Sequence, residues 1–183
     1  MTAFGRRRLV RKLSARDSAQ CWEAATALAQ VDDPRTLRRV KRLLEGRGPD
    51  EGRAAAAYVL GFSGSNDVSG ALVRRLADTE ESVVVRAHAA EALGHLLQHE
   101  PVLAEVRTTI VSSLRDPEPE VRFWSAFAAG VLELQESRPQ LDRLTGDRAE
   151  IEGWWTIAEE AEWALRCLEG EEDPPLPRAR QED

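Results

Sequence analysis

The three histidines of this 183-residue chain fall in one short stretch, at positions 88, 95 and 99. Glu91, His95 and His99 are spaced four residues apart, so on a helix they share one face, and imidazoles at this spacing can hold one metal ion. No further histidine exists elsewhere in the sequence, and a solvent-facing helix surface explains the same spacing. We therefore predict neither a metal site nor a cofactor.

Motifs of catalysis are also absent from the sequence. It contains no glycine-rich phosphate loop, no nucleophile elbow and no spacing typical of a catalytic triad. Cys21 and Cys167 lie far apart and outside any Cys-x-x-Cys pair, which excludes a cysteine zinc site and a disulfide framework. We predict no catalytic residue, and a binding protein explains the sequence better than an enzyme does.

Composition and charge describe one soluble domain, with 42% hydrophobic residues, 31% charged residues and a net charge of −7. No stretch approaches the roughly 20 uninterrupted apolar residues that a membrane span needs. The first residues run into arginines instead of the apolar core of a signal peptide. We expect a cytoplasmic protein that makes no membrane contact.

Helices are the elements that must position the candidate residues. Ala, Leu, Arg and Glu dominate while period-2 alternation is nearly absent, which predicts an all-α fold. Three segments repeat a pattern of Arg followed eight residues later by Gly, at 53–61, 86–94 and 122–130. The frame extends back to Cys21 and forward to Trp154, so the anchors lie 32, 33, 36 and 32 residues apart. Such a period is typical of a helical solenoid.

A second amphipathic segment precedes each anchor, so each repeat is predicted to be a helix pair. One domain is expected over residues 1–170, with units at about 6–31, 32–64, 66–98, 101–136 and 138–170. The last unit is expected to close with a long helix from about Ala149 to Leu168. Residues 171–183 are acidic and proline-rich, which predicts a disordered tail.

The repeats resemble the HEAT family, specifically the short bacterial repeats of the phycobilisome-lyase HEAT-like type. The signature Asp-Pro-x-x-x-Val-Arg-x-x-Ala-Ala-x-Ala-Leu-Gly is matched best by the segments 86–94 and 116–122. The resemblance implies a right-handed α-solenoid of about five HEAT-like helix pairs, with the second helices lining a concave groove. It also implies that Arg53, Arg86 and Arg122 are structural and bond to Asp or backbone groups in the inter-helix turns.

Four positions of each second helix are left for this groove, at 1, 2, 5 and 9 residues after the anchor. The predicted partner-binding residues are Tyr58, Phe62, His88, Glu91, His95, Phe123, Trp124 and Phe127. Nine of the ten aromatic residues lie in or beside this register, with Phe4 as the exception. Exposed clustered rings are typical of partner surfaces, although Trp154, Trp155 and Trp163 fit the core of the closing unit equally well. We predict a non-enzymatic scaffold or adaptor that binds a protein or peptide.

Charge is distributed unevenly, with +6 over residues 1–53 and −13 over residues 54–183. A basic patch is expected on the first helix of the second repeat, formed by Arg35, Arg38, Arg39 and Arg42. It could contact an acidic protein or phosphates, and a solvated outer helix face explains it as well. Because the predicted groove is aromatic and acidic, nucleic acid is disfavoured as the partner.

Three alternatives to a protein scaffold stay open from the sequence. The resemblance allows a phycobilin-lyase-like or other small-molecule-binding protein, with flat rings along the groove. Nucleic-acid binding through the basic N-terminal helices is a second alternative. The aromatic residues could also form the interface of a homo-oligomer.

Overall fold

The computed structural model describes residues 2–62, 66–171 and 174–177. Within these ranges the chain forms α-helices and two short 3-10 helices, Asn66–Val68 and Gln135–Ser137. Short connections join the α-helices except before the last one, where a longer loop contains one isolated bridge between Glu150 and Thr156. The helices are α1 (Ala3–Lys12), α2 (Ser18–Leu28), α3 (Pro34–Glu45), α4 (Asp50–Gly61), α5 (Ser69–Ala77), α6 (Val83–Leu97), α7 (Ala104–Ser113), α8 (Pro119–Val131), α9 (Arg138–Leu144) and α10 (Ile157–Leu168). None of the described helices is long and apolar enough to cross a membrane.

Consecutive helices pack as pairs, from α1 with α2 to α9 with α10, which gives five units. The second helices of the pairs, α2, α4, α6, α8 and α10, pack side by side in chain order. Among the first helices, α1, α3, α5 and α7 form a second layer in the same order. The prediction of an all-α solenoid of helix pairs is confirmed.

Polar side chains mark where several helices begin. The carboxylates of Asp17 and Asp33 accept hydrogen bonds from the backbone N–H groups of Gln20 and Thr36 at the starts of α2 and α3. Such caps satisfy donors that have no partner within the helix. Pro34 stands in the first turn of α3, where its missing N–H costs nothing.

The repeated glycines let neighbouring second helices approach closely. A Cβ atom on Gly61 would lie 2.8 Å from Cα of Ala92, and one on Gly130 would lie 2.8 Å from Cα of Ala164. Both distances are to backbone atoms, which can give way only if a whole helix shifts. Glycine is therefore required at these two contacts because of close packing.

The repeated arginines join each second helix to the following unit. Arg53 binds Glu81 at 2.6 Å (Nη2 to Oε1), Arg86 pairs with Asp116, and Arg122 binds Asp147 at 2.7 Å (Nη2 to Oδ2). Each acidic partner lies in the inter-helix turn of the next unit. Arg122 also donates to the backbone carbonyls of residues 116 and 117. These contacts confirm the structural role that the resemblance implied.

The closing helix is shorter than predicted. α10 begins at Ile157 and not near Ala149, because the chain turns at Gly153 with a φ of +76°, a conformation that favours glycine. Thr156 and Glu159 then form a capping box at the start of α10.

The register of the fifth repeat also differs from the prediction. Ala92 contacts Gly61 of the preceding repeat, and Ala128 contacts Gly94. Each of these alanines lies two residues before the glycine of its own repeat. In α10 the alanine that contacts the preceding glycine, Gly130, is Ala164. The fifth repeat is thus displaced by four residues along the chain. Trp163 then corresponds to Phe127, a position that the sequence frame gave to Glu159.

Residues 174–177 of the predicted tail lie against α10, while disorder of the tail as a whole stays a prediction. Pro174 is buried, and its carbonyl accepts a hydrogen bond from Nε1 of Trp163 at 3.0 Å. Residues 172–173 and 178–183, which the same prediction covers, lie outside the described residues.

Candidate functional site

A continuous series of ring contacts crosses the second helices. Trp22 of α2 meets the edge of Tyr58 of α4, with centroids 5.9 Å apart, and Tyr58 lies 5.0 Å from Phe62 just beyond α4. Phe62 stacks on His95 of α6 at 4.7 Å, and His95 meets Phe127 of α8 at 5.0 Å. We call this series the aromatic row, and its members are Trp22, Tyr58, Phe62, His88, His95, Phe127 and Trp163.

Exposure along the aromatic row is greatest at Phe62, whose residue surface is 43% accessible. Trp22, Tyr58, His88, His95 and Phe127 are half-buried, and Trp163 at the end of the row is buried, with 8% accessibility. The second helices α4, α6 and α8 are each flanked by second helices on both sides, so only a narrow face of them remains accessible. From Trp22 to Phe127 the row lies along this face, at 1, 2, 5 or 9 residues after the anchor, a spacing at which side chains lie close together on a helix.

Two predicted groove residues are buried and not exposed. Phe123 is 1% and Trp124 is 8% accessible, so the expectation that both face solvent is wrong. The loop that precedes α10 covers them: Trp154 lies 6.1 Å from Phe123 and 5.1 Å from Trp124 between ring centroids. Trp154 itself is 41% accessible, while Trp155 is buried. The surface ring at this end is therefore Trp154, which the sequence left undecided between core and interface.

Glu91 is the third buried exception, with 8% accessibility. Its Oε2 lies 2.6 Å from Nδ1 of His88 and its Oε1 lies 4.0 Å from Nε2 of His95. Burial lowers the pKa of His95 below its usual value, and the Glu91 carboxylate opposes this shift. At neutral pH His95 is therefore an uncharged ring between Phe62 and Phe127, while Glu91 holds His88 in place.

The third histidine does not join this group. His99 lies beyond the last residue of α6, Leu97, and is exposed, so the shared helix face considered for Glu91, His95 and His99 does not extend to it. Among the described residues no group of three or more His, Cys, Asp or Glu side chains is arranged to hold a metal ion.

The row ends at Trp163 on α10. Its ring stacks on Phe127 with an angle of 12° between the planes and 6.0 Å between the centroids. The sequence placed Trp163 in the groove register but left it out of the binding residues, because this ring fitted the core of the closing unit equally well. The Thr156-x-x-Glu159 pattern at the start of α10 is the signal that could have given the register of the fifth repeat.

The basic patch lies on first helices, in a different layer. Arg35, Arg38 and Arg42 are exposed and Arg39 is half-buried. The structure brings two arginines of α1 beside them, because the residues that line a cleft of about 340 Å³ include Arg6, Arg7, Arg35, Arg38 and Arg39. Asp33 contributes a carboxylate to this cleft, 3.5 Å from Nε of Arg6.

Comparison with known proteins supports the fold. No family model matches the chain, and no curated protein matches it. The CpcE–CpcF complex of phycocyanin lyase from Nostoc sp. PCC7120 superimposes with a TM-score of 0.67 and 17% identity, over 89% of this chain and 64% of that chain. Human deoxyhypusine hydroxylase gives 0.55 and 24% identity, over 70% of this chain and 43% of that chain. This chain therefore spans less than two thirds of either length.

A designed armadillo repeat protein in complex with the peptide (KR)4 is also similar, with a TM-score of 0.54 and 18% identity over 87% of this chain and 80% of that chain. At such identities the likeness concerns the fold alone. The chain has the HEAT-like helical-repeat fold that the sequence resemblance implied.

Proposed function

We propose that this chain is a binding scaffold whose aromatic row contacts a protein or peptide partner. The observation that carries the proposal is the unbroken series of ring contacts from Trp22 to Trp163, with Phe62 43% accessible in the middle. Aromatic side chains bury a large area with few torsions to fix, so accessible rings in a row favour partner binding.

The polar groups of the row give the proposed contact its selectivity. His88 and His95 are half-buried and carry ring nitrogens that can donate or accept hydrogen bonds. Glu91 acts through His88, because the carboxylate is buried against that ring. Trp124 packs against Phe127 of the row at 5.7 Å between ring centroids, and the accessible ring of Trp154 packs on Trp124 and extends the surface.

Two of the similar folds favour a binding role. CpcE is described in complex with CpcF, and the designed armadillo protein is in complex with a peptide. Stacked helix pairs present an extended surface that suits long partners. The identity of the partner does not follow from these likenesses.

A second candidate function is the binding of a flat small molecule, such as a phycobilin, on the same rings. The similarity to phycocyanin lyase favours it, although this chain spans 64% of the length of that chain. An absorbance titration of the purified protein with a bilin distinguishes the two candidates. Saturable spectral change would support the small-molecule function.

The basic patch is proposed as a second contact for an acidic partner. Five arginines and one aspartate line the cleft between α1 and the start of α3. Nucleic acid remains the disfavoured alternative, because these arginines lie on first helices while the aromatic row lies on second helices. A salt-sensitive gel shift with an oligonucleotide would reverse that preference.

A matched pair of variants tests the scaffold proposal. Phe62→Glu places a charge on the aromatic row, and Phe4→Glu places the same charge at a ring that is 75% accessible on α1, outside the row. Tagged wild-type and variant proteins, each shown to be helical by circular dichroism, are passed through lysate of the source organism. Loss of a retained protein only in Phe62→Glu is the expected result. Equal retention by all three proteins would contradict the proposal.

A further inference from the structure

The described part of the tail lies against the end of the aromatic row. Nε1 of Trp163 donates a hydrogen bond to the carbonyl of Pro174 at 3.0 Å. Nη2 of Arg166 donates to the carbonyl of Pro175 at 2.8 Å. Pro174 is buried, while Pro175 and Leu176 are exposed. Two side chains one turn apart on α10 thus bind two successive carbonyls.

This contact has the chemistry by which proline-rich segments are recognised. Proline has no N–H and a fixed φ, and a residue that precedes proline avoids the helical region, so the sequence Pro174–Pro177 favours an extended backbone. Its three prolines offer only carbonyls for hydrogen bonds, and Leu176 supplies the single backbone N–H. Proline-rich ligands dock on aromatic-lined surfaces that donate to such carbonyls. Trp163 and Arg166 supply such donors.

The surface under the tail is built by several elements and not by the tail alone. Gly130 of α8 leaves room for the Trp163 ring, since a Cβ atom there would lie 3.0 Å from Cζ3 of the indole. A cavity of about 410 Å³ beside this contact is lined by residues that include His99, Glu133 and Cys167. A longer segment than the described tail would find space in this cavity.

We propose that the surface around Trp163 and Arg166 is a docking site for extended proline-rich peptides, and that residues 174–177 occupy it as an intramolecular ligand. The inference rests on the proposed function and names the chemistry of the partner. A partner segment with consecutive prolines competes with the tail. Its apparent affinity for the chain equals its intrinsic affinity multiplied by the fraction of molecules in which the tail leaves the site free.

The test uses the full-length chain and a dye-labelled peptide with the sequence of residues 171–179, followed by fluorescence anisotropy. Pro174→Gly/Pro175→Gly in the chain weakens the intramolecular contact, because glycine releases the segment from the extended conformation. This variant is expected to bind the peptide about tenfold more tightly than the wild type does. Adding Trp163→Phe to this variant keeps an aromatic ring but removes the Nε1–H donor, so its affinity for the peptide should fall about fivefold.

The matched control probe is the same peptide with alanine in place of its three prolines, which is expected not to bind. Absence of peptide binding to the glycine variant, equal binding of the control peptide, or no effect of Trp163→Phe would each overturn the inference. These outcomes are independent of the Phe62→Glu experiment, because Phe62 lies on another unit of the row. If the peptide does not bind but Phe62→Glu still loses its retained partner, the scaffold function is supported and only the proline-rich ligand is refuted.

Discussion

Nε1 of Trp155 donates a hydrogen bond of 2.7 Å to Oε2 of Glu160, and both side chains are buried at the C-terminal end of the fold. Glu160 is 1% accessible, and its Oε1 has no hydrogen-bond partner among the described residues. Burial raises the pKa of Glu160 to about 8, although the bond from Trp155 acts in the opposite direction. This carboxyl group is therefore mostly protonated at neutral pH in the folded chain.

Glu160→Gln is expected to remove a pH dependence of stability. In the unfolded chain the carboxyl ionises near its ordinary pKa of 4.5, whereas in the folded chain its pKa is raised to about 8. The unfolded state thus binds fewer protons between these values, so the stability of the wild type falls as pH rises. Urea denaturation measures the free energy of unfolding of the variant and of the wild type. The value for the variant minus that for the wild type should increase by more than about 1 kcal/mol, roughly the equivalent of one pKa unit, from pH 5 to pH 8.

The exposed neighbour Glu162 provides the control for this pH dependence. Glu162→Gln should follow the wild type across the same range. A constant difference between Glu160→Gln and the wild type from pH 5 to pH 8 would show that Glu160 ionises normally in the folded chain.

Arg86→Ala is expected to destabilise the fold by about 3–5 kcal/mol, because it leaves the Asp116 carboxylate without its buried partner. The side chains of Arg86 and Asp116 are only 5% and 9% accessible. Arg74→Ala breaks an ion pair with Glu45 whose side chains are 64% and 38% accessible, and should cost less than about 1 kcal/mol. The free energies of unfolding come from urea titration. Similar losses of unfolding free energy in both variants would contradict the role of Arg86 in joining the third and fourth units.

Gly61→Ala is expected to destabilise the fold by about 1–3 kcal/mol, because the new Cβ meets the backbone of Ala92 at 2.8 Å. Gly48→Ala is the matched substitution, since nothing lies within 4 Å of the Cβ that it introduces. Its effect should stay within about 0.5 kcal/mol. Thermal unfolding measures both, and an unchanged or raised melting temperature in Gly61→Ala would show that the units pack less closely than described.

Glu91→Gln is expected to lower the pKa of His95 further. Burial already depresses this pKa below 6.5, and the Glu91 carboxylate is the group that opposes the shift. Because the folded pKa is depressed, the stability associated with neutral His95 is present above pH 6.5 and is lost as pH falls below it. NMR titration of the imidazole C–H signals measures the pKa in both proteins.

The control for this titration is Glu100→Gln, which changes an exposed carboxylate beyond the end of α6. It should leave the pKa of His95 unchanged. A pKa of His95 that rises, or that does not move, in Glu91→Gln would contradict the assigned contact.

The helices and their pairing could be predicted from the sequence because each unit repeats the same physical requirements. Arg53, Arg86 and Arg122 each reach an acidic side chain of the following unit, and Gly61 and Gly130 each allow close helix contact. The fifth unit has neither residue type at the corresponding place. The start of its second helix, α10, is marked instead by a capping box, a local pattern that does not depend on the repeat period.

The accessible rings could be predicted only in part. Tyr58 and Phe62 keep accessible surface because the helical face on which they lie is free. Phe123 and Trp124 occupy the first two groove positions of their repeat but lie beneath the loop that carries Trp154. The path of such a loop depends on tertiary contacts that helical periodicity does not encode, and the contact of Trp163 with Pro174 is hidden from the sequence for the same reason.

The most direct measurement on the aromatic row is photo-cross-linking from position 62. A benzophenone-bearing phenylalanine analogue replaces Phe62 in one sample and Phe4 in another, since both side chains are exposed and only Phe62 belongs to the row. After irradiation in lysate, the predicted result is a discrete cross-linked protein or peptide from position 62 that is absent from position 4. No adduct from position 62, or the same adducts from both positions, would contradict the proposed role of the row.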